Sequence, residues 1–158
     1  MISMKTVIPL GFSDMKVFHS YSRQETVDFA ADFARALKPG SVVAFLGDLG
    51  AGKTAFVSGL AKGLGLDCDV TSPTFAICNE YSGEDITLYH FDMYRVDGWD
   101  DLYSTGFFDC VGKENAYVAV EWSENVYGAL PDDTYMIEIS KISEKERELK
   151  IYIKGENE

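Results

Sequence analysis

Eight residues, Gly47-Asp48-Leu49-Gly50-Ala51-Gly52-Lys53-Thr54, carry the most specific chemistry in this 158-residue chain. They fit G-x-x-x-x-G-K-[ST], a loop whose backbone N–H groups cradle nucleotide phosphates. In that pattern the lysine reaches the β- and γ-phosphates and the hydroxyl binds Mg2+. With glycine near 7% of an average protein, a chance match is on the order of a 1% accident. The candidate nucleotide-contacting set is Gly47, Asp48, Leu49, Gly50, Ala51, Gly52, Lys53, Thr54 and Ala55, with Lys53 also a catalytic candidate and Thr54 a metal ligand.

A nucleotide hydrolase also needs Mg2+ held from the protein side and a water aimed at the γ-phosphate. An acid at the end of a buried strand beside the phosphate loop supplies this. Two positions fit: Asp92 after Leu88-Tyr89-His90-Phe91, and Glu121 after Tyr117-Val118-Ala119-Val120. Which of them is the main metal ligand stays open, and each alone would serve equally as a strand-end cap. Thr74, after the stiffening Pro73, places a hydroxyl where it could sense Mg2+ or the γ-phosphate, as switch loops do, or simply close a turn. Trp122 either stacks near the nucleotide or fills the core beside Glu121. His90 reads as a hydrogen-bonded structural histidine. Ser20, Ser22 and Thr26 are candidates for the base pocket, with capping the simpler role for Ser22. No [NT]-K-x-D signal for guanine is present, which disfavours GTP.

These residues must be positioned by strands and helices. Before the loop, Val42-Val43-Ala44-Phe45-Leu46 is a continuous apolar run, the pattern of a buried parallel strand. After it, Ala55 to Leu64 predicts a helix with Phe56, Val57, Leu60 and Leu64 on one side, stopped by Gly63 and Gly65. Upstream, Ser22-Arg23-Gln24-Glu25 reads as a capping box opening a helix that Lys38-Pro39-Gly40 ends. Thr6-Val7-Ile8 suggests a short edge strand. Downstream, the stretch from Val70 to Tyr81 opens as a loop and continues as a strand. Ser82-Gly83-Glu84-Asp85 turns it back into Ile86 to Asp92 as an antiparallel hairpin. Short helical pieces are expected at Trp99 to Tyr103 and Phe107 to Val111, with a turn of helix at Ser123 to Tyr127. Tyr135 to Ile139 and Glu148 to Ile153 close the chain as a hairpin. The fold class is α/β: a mixed, mostly parallel phosphate-loop sheet flanked by helices, with an inserted and a C-terminal hairpin. One domain is expected over residues 1–158, with residues 1–15 peripheral and 155–158 a tail.

Charge narrows the partners. There are 26 acidic and 14 basic side chains, a formal net charge of −12. No Lys/Arg run appears, so direct autonomous tRNA or other nucleic-acid binding is not expected. No apolar stretch approaches the roughly 20 residues of a membrane span. With no secretory signal, and with Cys68, Cys78 and Cys110 odd in number and lacking C-x-x-C spacing, a cytoplasmic protein with buried structural thiols is expected.

Taken together, the blocks resemble the TsaE family, the small ATPases needed to make threonylcarbamoyladenosine in tRNA. The resemblance runs from about Ser20 to about Tyr135. It is carried by GDLGAGKT at Gly47 to Thr54 and SPTF at Ser72 to Phe75, followed by Tyr81. HFDMYR at His90 to Arg95, Asp101-Leu102 ahead of Gly106, and VEWSE at Val120 to Glu124 complete it. It implies ATP with Mg2+ bound through Thr54 and Glu121, hydrolytic roles for Asp92 and Thr74, and Trp122 close to the nucleotide. It implies TsaD and TsaB as partners. Where the family commonly carries a second threonine after Thr54, this chain has Ala55, so a contact to the α-phosphate is lost while the metal role of Thr54 stays. Two other functions remain alternatives. A small-molecule kinase usually needs an Arg- or Lys-rich lid, yet Arg95 is the only arginine between Arg35 and Arg147. A nucleotide-sensing module without turnover needs only the binding half of the machinery.

Overall fold

The computed structural model describes residues 15–47, 52–73 and 77–155. The expected strand at Thr6 to Ile8 lies outside them, as do Thr74 and Asp48 to Ala51. In chain order the elements are β1 (Lys16–Ser20), α1 (Arg23–Arg35), β2 (Val42–Leu46), α2 (Lys53–Gly63), β3 (Cys78–Ser82) and β4 (Thr87–Asp92). They continue with α3 (Trp99–Ser104), α4 (Phe107–Cys110), β5 (Ala116–Glu121), a 3-10 segment (Ser123–Ala129), β6 (Tyr135–Lys141) and β7 (Arg147–Ile153).

The strands form one sheet in the order β1-β7-β6-β2-β5-β4-β3. Its centre is parallel: β2 pairs with β6 and β5, and β5 with β4. Its outer pairings, β1 with β7, β7 with β6, and β4 with β3, are antiparallel. The sheet is thus mixed as the sequence implies, with parallel pairing confined to the strands buried on both faces. Both expected hairpins are present, and they make the antiparallel flanks.

Successive residues of each strand feed opposite faces, so the alternation sorts the core into two layers. Val43, Phe45, Leu88, Ala119 and Ile137 pack under α1 and α2. Val42, Ala44, Phe91, Val120 and Met136 pack against Leu102 of α3, Phe107 of α4 and Val126 of the 3-10 segment. Five aromatic rings (Phe29, Phe33, Phe45, Phe56 and Tyr135) lock the first layer edge-on, with centroids 5.2 to 6.2 Å apart.

Several boundaries differ from the sequence reading. Helix α1 is capped by the Ser22 hydroxyl, which accepts from the Glu25 N–H at 3.1 Å. The Glu25 carboxylate reaches back one residue further than a capping box requires, to the Tyr21 N–H. The helix ends at Arg35, before Lys38, because the Ala36 and Leu37 N–H groups bond three residues back and tighten the last turn. Gly63 is not the stop of α2. A Cβ there would lie 2.2 Å from the Ala31 carbonyl oxygen, and one at Gly59 2.3 Å from that of Val27. These two glycines let α2 lie close against α1, and Gly65, at φ +80, makes the turn that follows. Strand β1 had no clear signal, since Val17 faces solvent and Phe18 is only half-buried. The thiols are also less buried than expected: Cys68 is exposed and the other two are intermediate. Cys68 sits between Asp67 and Asp69 in a polar loop, which holds it at the surface. Among the described residues no helix is long and apolar enough to cross a membrane.

Candidate functional site

Helix α2 starts at Lys53. Gly52, its N-cap residue, holds φ +108, a conformation that side chains rarely adopt. Gly47 is constrained differently: a Cβ there would sit 2.4 Å from the Ile139 carbonyl oxygen of β6. The two glycines therefore hold the ends of the loop, and Asp48 to Ala51 between them lie outside the described residues. The first N–H groups of α2 have no partners within the helix, so they and the helix dipole favour an anion there.

A cavity of about 750 Å3 opens at this helix end. Gly52, Lys53, Thr54, Ala55, Asp92, Glu121 and Trp122 all line it. Residues as far apart in the chain as Gly52 and Trp122 are thereby brought to one site. The acids arrive through strand register: Asp92 on β4 is paired directly with Glu121 on β5. Paired residues of neighbouring strands put their side chains on the same face. Asp92 is partly exposed, and its Oδ1 accepts from the Tyr94 N–H at 2.9 Å, closing the turn after the strand. Glu121 is 6% exposed, and its Oε2 is hydrogen-bonded to His90 Nε2. His90 is wholly buried and lies on the same face of β4 as Asp92.

Trp122 follows Glu121 with φ +56, an uncommon conformation for a bulky residue. Its ring lies 4.8 Å from the Lys53 ammonium and 4.9 Å from the Tyr94 ring. Lys53 is itself 6% exposed, a buried ammonium resting on an aromatic face. The turn at Trp122 is held from both sides. Ser123 Oγ donates to the Phe45 carbonyl of β2 at 2.8 Å, and Asn125 Nδ2 to the Met93 carbonyl at 2.9 Å. These bonds tie the ends of β2, β4 and β5 into one rim.

The sequence reading named His90 as structural and passed over Ser123 and Asn125. The alternation Leu88-His90-Asp92 would have put His90 beside the acids. The far wall of the cavity was also missed: Tyr21, Arg23, Glu144, Lys145 and Arg147 line it. Arg147 Nη1 is committed to the carbonyls of Ser143, Glu144 and Glu146, so this arginine braces the β6–β7 turn. Ser22 and Thr26 reach the cavity, but Ser22 caps α1 and Thr26 shares its hydroxyl with Ser20 at 2.6 Å. Burial, reinforced by Cys110 and Glu80, pushes the Cys78 thiol up to about 12, so it is no nucleophile at neutral pH. Among the described residues no group of three His, Cys, Asp or Glu side chains is arranged to hold a metal ion alone.

Comparisons with known proteins converge on one family. Residues 20–149 match the family model described as threonylcarbamoyl adenosine biosynthesis protein TsaE. The tRNA threonylcarbamoyladenosine biosynthesis protein TsaE of Treponema pallidum is 40% identical over 132 residues, 84% of this chain and 96% of that one. Its Bacillus subtilis counterpart is 40% identical over 127 residues, 80% and 78% of the two chains. The crystal structure of Bacillus subtilis YdiB superposes with a TM-score of 0.68 at 33% identity, covering 91% of this chain and 88% of that one.

Proposed function

From the premise that this chain belongs to the TsaE family, which serves tRNA threonylcarbamoyladenosine biosynthesis, we propose that it is a Mg2+-dependent ATPase acting on a TsaB–TsaD complex. The observation that carries the reading is the meeting of Lys53, Thr54, Asp92 and Glu121 in one cavity at the N-terminus of α2. The donor set fits a magnesium ion. Two carboxylates lie in register at one rim, and Thr54 lines the same cavity. A pair of carboxylates suits Mg2+, which is usually held by one or two side chains together with substrate phosphates and water. Bound Mg2+ would neutralise charge on the phosphate oxygens.

The roles then divide by chemistry. Lys53 would hold the β- and γ-phosphates, together with the first N–H groups of α2. Thr54 and Glu121 would hold the metal. Asp92, with Oδ1 fixed by the Tyr94 N–H, keeps Oδ2 to orient the attacking water or a water on the metal. Thr74, outside the described residues, is assigned the switch role on its loop. Trp122 supports Lys53 and borders the nucleotide.

A protein partner is favoured by the surface. Trp99, Tyr103 and Phe108 are 57%, 65% and 38% exposed, and their rings cluster across α3 and α4 with centroids 4.9 to 6.4 Å apart. Aromatic side chains left in solvent as a group mark interaction surfaces. The kinase alternative loses ground because Arg147, in the cavity wall, spends its Nη1 on three backbone carbonyls of the β6–β7 turn. Replacing Lys53 tests the binding half. Lys53→Ala should weaken ATP at least tenfold, about 1.4 kcal/mol, with an unchanged melting curve. Unchanged ATP affinity in that variant would remove the phosphate-loop assignment.

A further inference from the structure

We infer that His90 is the positioning residue that fixes Glu121 as a metal ligand. This rests on the Mg-ATP reading above and adds a residue to it. The Glu121 side chain has three rotatable bonds, and a ligand left to turn about them would bind a small, geometrically demanding ion poorly. Its carboxylate makes one hydrogen bond among the described residues, Oε2 to His90 Nε2. His90 cannot itself drift: it is 0% exposed in the middle of β4. Its register partner on β5 is Ala119, whose single methyl leaves the imidazole room to reach diagonally to Glu121 two residues on.

The hydrogen bond also sets the tautomer. An ionised carboxylate only accepts, so the ring proton belongs on Nε2. Nδ1 is buried with no partner among the described residues. A histidine placed there for folding alone would be expected to satisfy both nitrogens. Here one nitrogen is left over and the other is spent on the acid. With Oε2 held, Oε1 is the oxygen presented to the metal. Such outer hydrogen-bond partners orient metal ligands, and their loss typically costs about 10- to 100-fold in metal affinity.

Nucleotide binding, rather than turnover, supplies the test. Mg2+ is titrated into the full-length protein with a fluorescent ATP analogue for wild type, His90→Gln and His90→Asn. Glutamine carries its amide N–H near the place of Nε2, and asparagine near that of Nδ1. The Mg2+ midpoint should rise about tenfold or more for His90→Asn and stay close to wild type for His90→Gln, with metal-free analogue binding equal in all three. Equal midpoints for the two variants overturn the inference. Nitrogen-15 spectra of the wild-type imidazole give a second readout that needs no variant. Nε2 should be protonated, and its resonance should move when Mg2+ is added to the ATP-bound protein. A proton on Nδ1, or a resonance indifferent to Mg2+, overturns the inference equally. Glu121→Gln separates this from the reading beneath it. If Mg2+ dependence is absent from wild type or survives Glu121→Gln, the metal role of Glu121 falls and that of His90 with it. If Glu121→Gln abolishes the dependence while His90→Asn leaves it intact, only the inference about His90 fails.

Discussion

At the scale of single residues, the two acids differ in ways that strand-end position alone could not reveal. Glu121 is buried and bonded to a buried histidine, whereas Asp92 is partly exposed with one oxygen closing a turn. A buried carboxylate with little else to satisfy it suits a cation, and a more open one suits a water. Glu121→Gln should therefore weaken the Mg2+ dependence of ATP binding as well as slow hydrolysis. Asp92→Asn should leave binding near wild type and reduce turnover. Equilibrium titration of ATP with and without Mg2+, paired with single-turnover hydrolysis, separates the two. Identical profiles would mean that the division of roles is wrong. That Lys53, Thr54, Asp92 and Glu121 belong to one site was legible in the sequence from the fixed spacing of the Gly47 to Thr54 block and from two acids at strand ends. The contacts were not. The bond between His90 and Glu121 spans 31 positions, and that from Ser123 to Phe45 spans 78. Only strand order brings either pair together.

At the scale of elements, periodicity located both core helices and nearly every strand. It failed where an element has little apolar content of its own. Strand β1 exists because β7 offers an edge: five of its residues pair with β7 while most of its side chains stay in solvent. The glycines of α2 show a second limit. Gly59 and Gly63 look like helix breakers, yet they sit four apart on the face that α1 covers. This has a consequence of definite sign. In an exposed helix, Gly→Ala stabilises by about 1 kcal/mol. Here Gly59→Ala and Gly63→Ala should instead destabilise, by about 1 to 3 kcal/mol, because the added methyl meets backbone that cannot yield. Thermal or urea melts decide it, and a raised midpoint in either variant would contradict the close approach of α1 and α2. Because α2 carries Lys53 and Thr54 at its other end, the same variants should also weaken ATP binding if that packing sets the helix position.

At the scale of the whole molecule, the net charge of −12 governs which partners can be met unaided. Nonspecific affinity for nucleic acid comes from neutralised phosphates, and log K falls with log salt by about 0.9 per contact on a duplex. The isolated chain should therefore show no tRNA binding at physiological salt. Micromolar binding with a steep salt slope in a gel-shift or fluorescence titration would point instead to a basic patch assembled by the fold. Protein association is the expected route into the tRNA-modifying system, through a surface that leaves aromatic rings exposed beside acidic residues. ATP should tighten that association, with the Thr74 hydroxyl meeting the γ-phosphate and Mg2+ in the switch role proposed for it. The most direct measurement is the rate of ATP hydrolysis by the purified chain, alone and with TsaB–TsaD added, at saturating Mg-ATP. Slow turnover alone and a clear acceleration with the complex is the expected result, and Lys53→Ala should abolish it. A rate that TsaB–TsaD leaves unchanged, with wild type and Lys53→Ala alike, would contradict a partner-directed ATPase.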